Sequence, residues 1–162
     1  MKKILFTLIC LALCSSTFAQ VIVVTNRGPK KGESVSYKSG KVSLTKKGVS
    51  QRYSLDDIRQ IISPLPKSLA LIFKAYDKAD FNAATSAKAL EAINENKYLG
   101  WGKRAAFYYS MALLRNGKPA EAKALLSKAR GYIPGAKKTL DKQLIELGLS
   151  LCEVKVGSTI GV

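Results

Sequence analysis

The stretch that decides the fold is residues 103–134, KRAAFYYSMALLRNGKPAEAKALLSKARGYIP. Apolar side chains recur in it at helical spacing, in two segments that Asn116 and Gly117 separate. Glycine tolerates the left-handed conformation at a helix end, so Gly117 predicts where the first helix stops. Pro119 predicts the start of the second helix, because the first helical position needs no N–H. The stretch therefore predicts two consecutive helices joined by a tight turn.

Small residues in this stretch stand where two helices would cross closely, and larger ones stand where they would diverge. The pattern consists of Ala106, Tyr109, Ser110, Leu113, Gly117, Ala122, Leu126, Ala129 and Pro134. With these residues the stretch resembles one tetratricopeptide repeat, in which two antiparallel helices pack through small residues. It departs from that family at Ala106, where a large aromatic is usual, and at Ser110, where glycine is usual.

Partial copies of the same pattern flank this stretch. Upstream, residues 79–81 resemble the turn of the repeat and Ala84 its close-packed alanine. From Ala84 to Ala122 is 38 residues, against a usual period of about 34, and an insert at 98–102 accounts for the excess. Downstream, residues 147–151 resemble the start of a third copy. Three partial copies meet the minimum for a stable array; the alternative is an unrelated bundle of five helices.

Residues 67–157 carry apolar side chains at a helical period, which predicts a domain of about five helices. The first helix has an apolar face of Leu69, Ile72, Phe73 and Tyr76. Asp80 predicts the cap of a second helix, whose small face is Ala83, Ala84, Ala87 and Leu90. The fifth helix has a stripe of Leu140, Leu144, Leu147 and Leu151. Residues 158–162 are expected to form a frayed tail.

Residues 20–62 instead alternate in polarity with a period of two, which predicts a small antiparallel β unit. The expected strands are 21–25, 34–37, 41–45 and 49–53, with breaks at 26–29, 39–40 and 47–48. Residues 54–57 fit a capped helical turn; alternatively, residues 58–62 form a short fifth strand. Two prolines make 63–66 a joint. The expected fold class is α+β: a small antiparallel β-meander or barrel, then an all-α tetratricopeptide-like helical repeat.

The first 19 residues read as a secretory signal. A basic start, MKK, precedes an apolar run from Ile4 to Leu13 that is too short to cross a bilayer. Thr17 and Ala19 are the small residues that a signal peptidase requires, so we expect cleavage after Ala19 and a periplasmic or extracellular location. The alternatives are an uncleaved anchor and lipid attachment at Cys14, which lacks the usual small residue before it. No transmembrane span is expected in the mature chain.

Residues 53–61, YSLDDIRQI, resemble the closing strands of Sm-like small barrels, as does the turn before them. Sm-like proteins bind RNA, but we do not extend that activity to this chain, because the signal directs it away from cytoplasmic RNA. Tyr37 and Tyr53 are also the only aromatic residues of the β unit, too few for a nucleotide-stacking surface. Nucleic acid is therefore not the expected partner.

The chain is strongly basic, with 27 lysines and arginines, 11 acidic residues and a formal charge of +16, or +14 once Lys2 and Lys3 are removed. Such charge attracts polyanions, including acidic membrane surfaces and envelope polymers, or simply keeps an exported protein soluble. The lysine pairs at 30–31, 46–47 and 137–138 fall on predicted turns, which suits solvated loop charge or, alternatively, a polyanion footprint.

No set of residues suggests catalysis. The chain has no histidine, and histidine is the commonest general base and metal ligand. Asp56 and Asp57 are the only adjacent carboxylates, and neighbouring side chains on a strand or helix point apart. Cys152, the one cysteine outside the signal, has an apolar helical context that favours a buried thiol. We therefore expect no enzyme, no cofactor and no metal site.

The third helix carries the candidate partner-binding residues. Arg104, Tyr108, Met111 and Arg115 are spaced by 4, 3 and 4, and the resemblance implies that this side lines the concave groove in which the family holds peptides. These side chains suit an extended acidic peptide or an anionic tail; the alternative is packing on a neighbouring helix. Trp101 is either an exposed anchor or a plug at the end of the core.

Two functions follow from these observations. The first is an exported, non-catalytic scaffold that binds a protein partner through the helical groove. The alternative is a charge-driven binder of anionic envelope polymers, membrane surfaces or nucleic acid.

Overall fold

The computed structural model describes residues 20–132 and 140–159, with side chains in the last helix through 155. The expected secretory signal, the lysine pair at 137–138 and Pro134 lie outside these ranges. Within them the protein is a mixed α+β structure, in which six strands precede six helices. The coarse fold class expected from the sequence is therefore confirmed.

The β unit consists of two antiparallel sheets of three strands each. The strands are β1 Val21–Thr25, β2 Gly28–Gly32, β3 Ser34–Lys38, β4 Lys41–Lys46, β5 Val49–Ser54 and β6 Ile58–Ile62. Their order is β2-β1-β6 in the first sheet and β3-β4-β5 in the second. The two sheets share one apolar core, formed by Val21, Val23, Val42, Leu44, Ile58 and Ile61.

Two parts of the β unit differ from the expectation. Residues 28–32 were expected to begin with a break, yet they form β2, where Pro29 pairs with Val24 of β1. Proline is tolerated there because β2 is an edge strand, so the missing N–H interrupts no ladder. The two alternatives for residues 54–62 both occur: a 3₁₀ turn at Leu55–Asp57 leads directly into β6.

Within the described ranges the helical half has six helices, where about five were expected. They are α1 Lys67–Asp77, α2 Phe81–Ala84, α3 Ala87–Asn96, α4 Gly102–Arg115, α5 Pro119–Ala129 and α6 Leu140–Thr159. The last helix continues two residues beyond the expected end at 157, within the usual variation of helix ends. None of the helices in the described ranges has the length and apolar content needed to cross a membrane.

The expected second helix is split at Thr85 and Ser86. Asp80 caps α2 as predicted, since its carboxylate accepts a hydrogen bond from the N–H of Ala83 at 3.0 Å. The Thr85 hydroxyl then donates back to a main-chain carbonyl at 2.8 Å, and the Ser86 hydroxyl accepts from the N–H of Ala89 at 3.3 Å. Hydroxyls that satisfy main-chain groups in this way compete with a continuous helix.

The split changes which face of α3 is buried. Ala87 and Leu90 were expected to face the core, but both are exposed. The buried side chains are instead Ala89, Ala92 and Ile93. The prediction for this face was wrong because a separate helix begins after its cap at Ser86, and this helix buries a different face.

The apolar stripe predicted for α6 is also wrong. Leu147 is 52% exposed, whereas Ile145, Leu149 and Cys152 are buried. Gly148 decides the orientation: a Cβ placed there would lie 2.9 Å from a Leu126 methyl of α5. The face with the glycine can approach its neighbour closely, so it packs inward and leaves most of the leucine stripe outside.

The close contacts of α5 organise the helical half. Ser110 of α4 is fully buried, and its hydroxyl lies 3.4 Å from the carbonyl oxygen of Ala122, to which it donates. Gly148 of α6 packs on Leu126 one turn further along. Small residues on α4 and α6 thus allow both helices to pack tightly on α5.

The loop before α4 connects the two halves of the chain. The Trp101 indole N–H donates to the Ser63 carbonyl at 2.8 Å, and the Ser63 hydroxyl donates to the Leu99 carbonyl at 3.0 Å. The rings of Tyr37 in β3 and Tyr98 have centroids 4.5 Å apart. Because these contacts join residues on both sides of the proline joint, they restrain the β unit against the helices.

Lys103 is an unusual core residue, since only 5% of it is exposed. It lies on the first turn of α4. Burial lowers the pKa of its ammonium group, and the negative charge of Asp141 on α6 partly offsets that effect. The charged lysine is therefore a cost to the folded state at neutral pH.

A substitution at Gly100 tests the connection between the halves. Gly100 has φ of +96°, and a Cβ there would overlap the Ile61 carbonyl, whereas Gly117 has φ of +73° with open space around it. Gly117→Ala should cost about 1–2 kcal/mol of unfolding free energy from backbone strain alone. Gly100→Ala should cost about 1–3 kcal/mol more, because the overlap adds to the strain. Urea denaturation measures both, and equal losses would contradict the proposed contact.

Replacing Lys103 tests the cost of its burial. Below the lowered pKa the folded state holds a charged, partly desolvated ammonium group. As the pH rises towards the unfolded pKa, the free-energy cost of this charge disappears. Lys103→Met should therefore raise the free energy of unfolding at pH 7 by about 1 kcal/mol. The melting temperature should rise by roughly 3–5 °C at pH 7 and by less at pH 10. The exposed Lys128→Met is the control. A lower melting temperature at pH 7 would show that the ammonium group stabilises the fold.

Candidate functional site

An open groove lies between three helices of the helical half. It has a volume of about 520 Å³, which is within the range of small-ligand pockets. Helices α1, α4 and α6 supply its lining, which we call the apolar groove: Tyr76, Phe107, Met111, Leu114, Arg115, Leu151, Val154 and Lys155. Six of these eight residues are apolar or aromatic, so the lining favours apolar ligand groups.

Helix α4 forms the floor of the apolar groove. Phe107, Met111 and Leu114 follow one another at i, i+4 and i+7, which places them on one face of the helix. Met111 is 8% exposed and packs into the core, while the other two are half-buried. A methionine floor adapts to ligands of different shape because its side chain is unbranched and polarisable.

Helix α6 forms a wall with unusually exposed apolar side chains. Leu151 is 41% exposed and Val154 is 70% exposed. Single exposed apolar residues are ordinary, but contiguous apolar surface beside a groove is typical of a binding site. This wall exists because Gly148 turns the other face of α6 towards α5.

Two basic residues stand at the end of the apolar groove. Arg115 ends α4 and its side chain is exposed, and Lys155 lies on the facing part of α6. None of the eight lining residues, all of which the structure describes, is acidic. The exposed Arg115 suits a carboxylate, because a guanidinium can bind that group through two parallel hydrogen bonds.

The structure brings two of the five predicted site residues into the apolar groove, namely Met111 and Arg115. Tyr108 lies outside the lining and packs on α1, with its ring centroid 5.1 Å from those of Phe73 and Tyr76. Edge-to-face packing of this kind supports the position of Tyr76, which does line the groove.

The other two predicted residues lie together elsewhere. The Arg104 guanidinium lies 3.0 Å from the Asp141 carboxylate and 5.0 Å from the centre of the Trp101 ring. The indole N–H of Trp101 is bonded to the Ser63 carbonyl at 2.8 Å. Both side chains thus connect elements of this chain: Arg104 connects α4 with α6, and Trp101 connects the helices with the joint.

Sequence reasoning missed most of the lining. The missed residues are Tyr76, Phe107, Leu114, Leu151, Val154 and Lys155. On α4 the spacing of Phe107, Met111 and Leu114 was visible and could have extended the candidate set. On α6 no local signal was available, because the leucine stripe was assigned to the core and only packing shows that it faces out.

Groups suited to catalysis or metal binding are not gathered at the groove. In residues 20–132 and 140–159, no three side chains of the metal-ligating types form a cluster. Cys152 is fully buried, as its context predicted, and burial raises the pKa of its thiol. The lining of the groove offers apolar contact and positive charge to a ligand.

Comparison with known proteins gives no relative. Neither a family model, nor a curated protein, nor a solved structure matches this chain.

Proposed function

We propose that this protein is an exported, non-catalytic binding protein that holds an extended peptide segment in the apolar groove. The observation that carries the proposal is the pairing of an apolar floor and wall with the exposed Arg115 at the end of α4. A peptide with two or three apolar side chains followed by a carboxylate matches both features. The carboxylate is that of an acidic residue or of a chain terminus.

A tetratricopeptide-like arrangement supports the same proposal. In that interpretation α4 and α5 form one repeat, closed by Ser110 and Ala122, and α6 begins the next. The apolar groove is lined by α1, α4 and α6, which are the first helices of successive pairs. The first helices line the concave surface in the repeat family that the sequence resembles.

The size of the groove indicates the kind of interaction. A lining of eight residues is small beside a stable protein–protein interface, which engages about 20–30 residues on each side. The groove therefore suits a short linear segment bound reversibly. Leu151 and Val154 are the most exposed of its apolar lining residues, so a bound ligand would cover part of their surface.

Paired substitutions on α6 test this function. Peptides selected from a random display library on the purified protein should be enriched in apolar residues followed by an acidic residue or a free terminus. Leu151→Ser with Val154→Ser should weaken their binding about tenfold or more, since two apolar contacts are lost. Fluorescence anisotropy of labelled peptides gives the dissociation constants.

The same helix provides a matched control. Leu140 and Leu147 are 60% and 52% exposed and lie outside the groove lining, so Leu140→Ser with Leu147→Ser should leave affinity unchanged. Arg115→Gln should weaken peptides with a free carboxylate and spare amidated ones. Equal effects of the two double substitutions to serine, or selection of no peptide at all, would refute the groove as a peptide site.

A further inference from the structure

The outer face of the second sheet has an unusual composition. Val42 and Leu44 of β4 point into the core, so alternation places Lys41 and Ser43 on the opposite, solvent side. Strand pairing extends this side into rows across the sheet. One row is Ser36–Ser43–Arg52 and the next is Lys38–Lys41–Ser54.

The third row, Ser34–Thr45–Ser50, adds hydroxyls alone. All nine positions of the outer face are therefore hydroxyl-bearing or basic, and none is acidic, aromatic or aliphatic. The middle of the face is a shallow concavity of about 600 Å³, lined throughout by serine, lysine and arginine. We call this surface the hydroxyl face.

The three cations of the hydroxyl face are close together. Lys38 stands directly opposite Lys41, and Arg52 is one row away on the adjoining strand. Like charges directly opposite one another in an antiparallel pair destabilise the sheet. Among the residues that the structure describes, none of the three forms an ion pair. The arrangement opposes folding, and a bound anion would relieve the repulsion.

We propose that the hydroxyl face binds an acidic polysaccharide. Lysine and arginine bind the anionic groups of such a polymer, while the serine and threonine hydroxyls donate to and accept from its sugar hydroxyls. Same-face positions repeat at roughly 5 Å across the strands and 7 Å along them, so an extended polymer meets several donors at once. This site differs from the apolar groove in both its location and its ligand.

Other polyanions fit the hydroxyl face less well. Single-stranded nucleic acids are held by aromatic side chains on which bases stack, and the face has none. Membrane-binding surfaces insert apolar side chains into the bilayer beside their basic residues. No apolar side chain stands at these nine positions. A protein partner would need an apolar centre to the interface.

Binding to polygalacturonate, a carboxylated polysaccharide, tests the proposal with the purified protein at 50 mM salt, with neutral dextran as the comparison polymer. The substitutions Lys38→Ser, Lys41→Ser and Arg52→Ser together should weaken binding about tenfold or more, since charged hydrogen bonds are the strongest contacts available. All three residues are exposed, so the variant should fold. Its melting temperature should be unchanged or higher because the like charges are gone.

A second triple variant controls for net charge. Lys30, Lys31 and Lys46 belong to the same β unit but line a separate concavity, and replacing all three by serine removes the same charge. We expect less than about a threefold loss of affinity in this control variant. At 200 mM salt the losses in both triple variants should shrink, because charge contacts weaken as salt rises, but the larger loss should remain that of the Lys38/Lys41/Arg52 variant. Equal losses of affinity in the two triple variants would show that binding depends only on the net charge of the protein. That result would contradict the proposed site.

The hydroxyls have their own test. Ser36→Ala with Ser43→Ala keeps every cation, and it should still weaken polygalacturonate binding about threefold, since each lost hydrogen bond is worth a modest amount. Unchanged binding would overturn the polysaccharide assignment. So would tighter binding of single-stranded DNA or of phosphatidylglycerol vesicles that is lost in the Lys38/Lys41/Arg52 variant.

Discussion

The close packing of α5 against small residues of α4 and α6 is the contact on which the helical half depends. Ser110 meets Ala122 on one side, and Gly148 meets Leu126 on the other. A glycine at the second contact turns one face of α6 inward. The opposite face then carries exposed apolar residues, and two of them, Leu151 and Val154, form the wall of the groove. The exposed apolar surface is thus a direct consequence of tight packing elsewhere.

Periodicity in the sequence was enough to identify the α+β class, while single residue types identified the turn at Gly117, the cap at Asp80 and the helix start at Pro119. It failed where two faces of one helix were equally regular. On α6 the prediction placed a stripe of four leucines in the core. The face with Ile145 and Cys152 is buried instead, because its glycine allows the closer approach to the neighbouring helix. Which face of a helix is buried depends on where its neighbours pack, and the sequence of one helix does not specify that.

The candidate site shows the same limit at the level of single side chains. Arg104 and Arg115 lie on the same helix and looked equivalent by spacing. Asp141 on α6 then engages Arg104 in an ion pair, whereas Arg115 stays at the end of the groove. Charge composition cannot separate these cases, because pairing depends on residues 37 positions away along the chain. An arginine held in an ion pair can be distinguished from one available to a ligand only when the position of its partner residue is known.

The segment that looked like an irregular insert has a structural role. Within residues 98–102, Tyr98, Leu99 and Trp101 supply contacts to the β unit and the joint. A proline-containing joint alone would act as a semi-rigid spacer. Hydrogen bonds on both sides of Ser63 instead hold the sheets against α4. Tyr37 belongs to the same strand as Ser36 and Lys38, so this segment also places the hydroxyl face at a defined position relative to the groove.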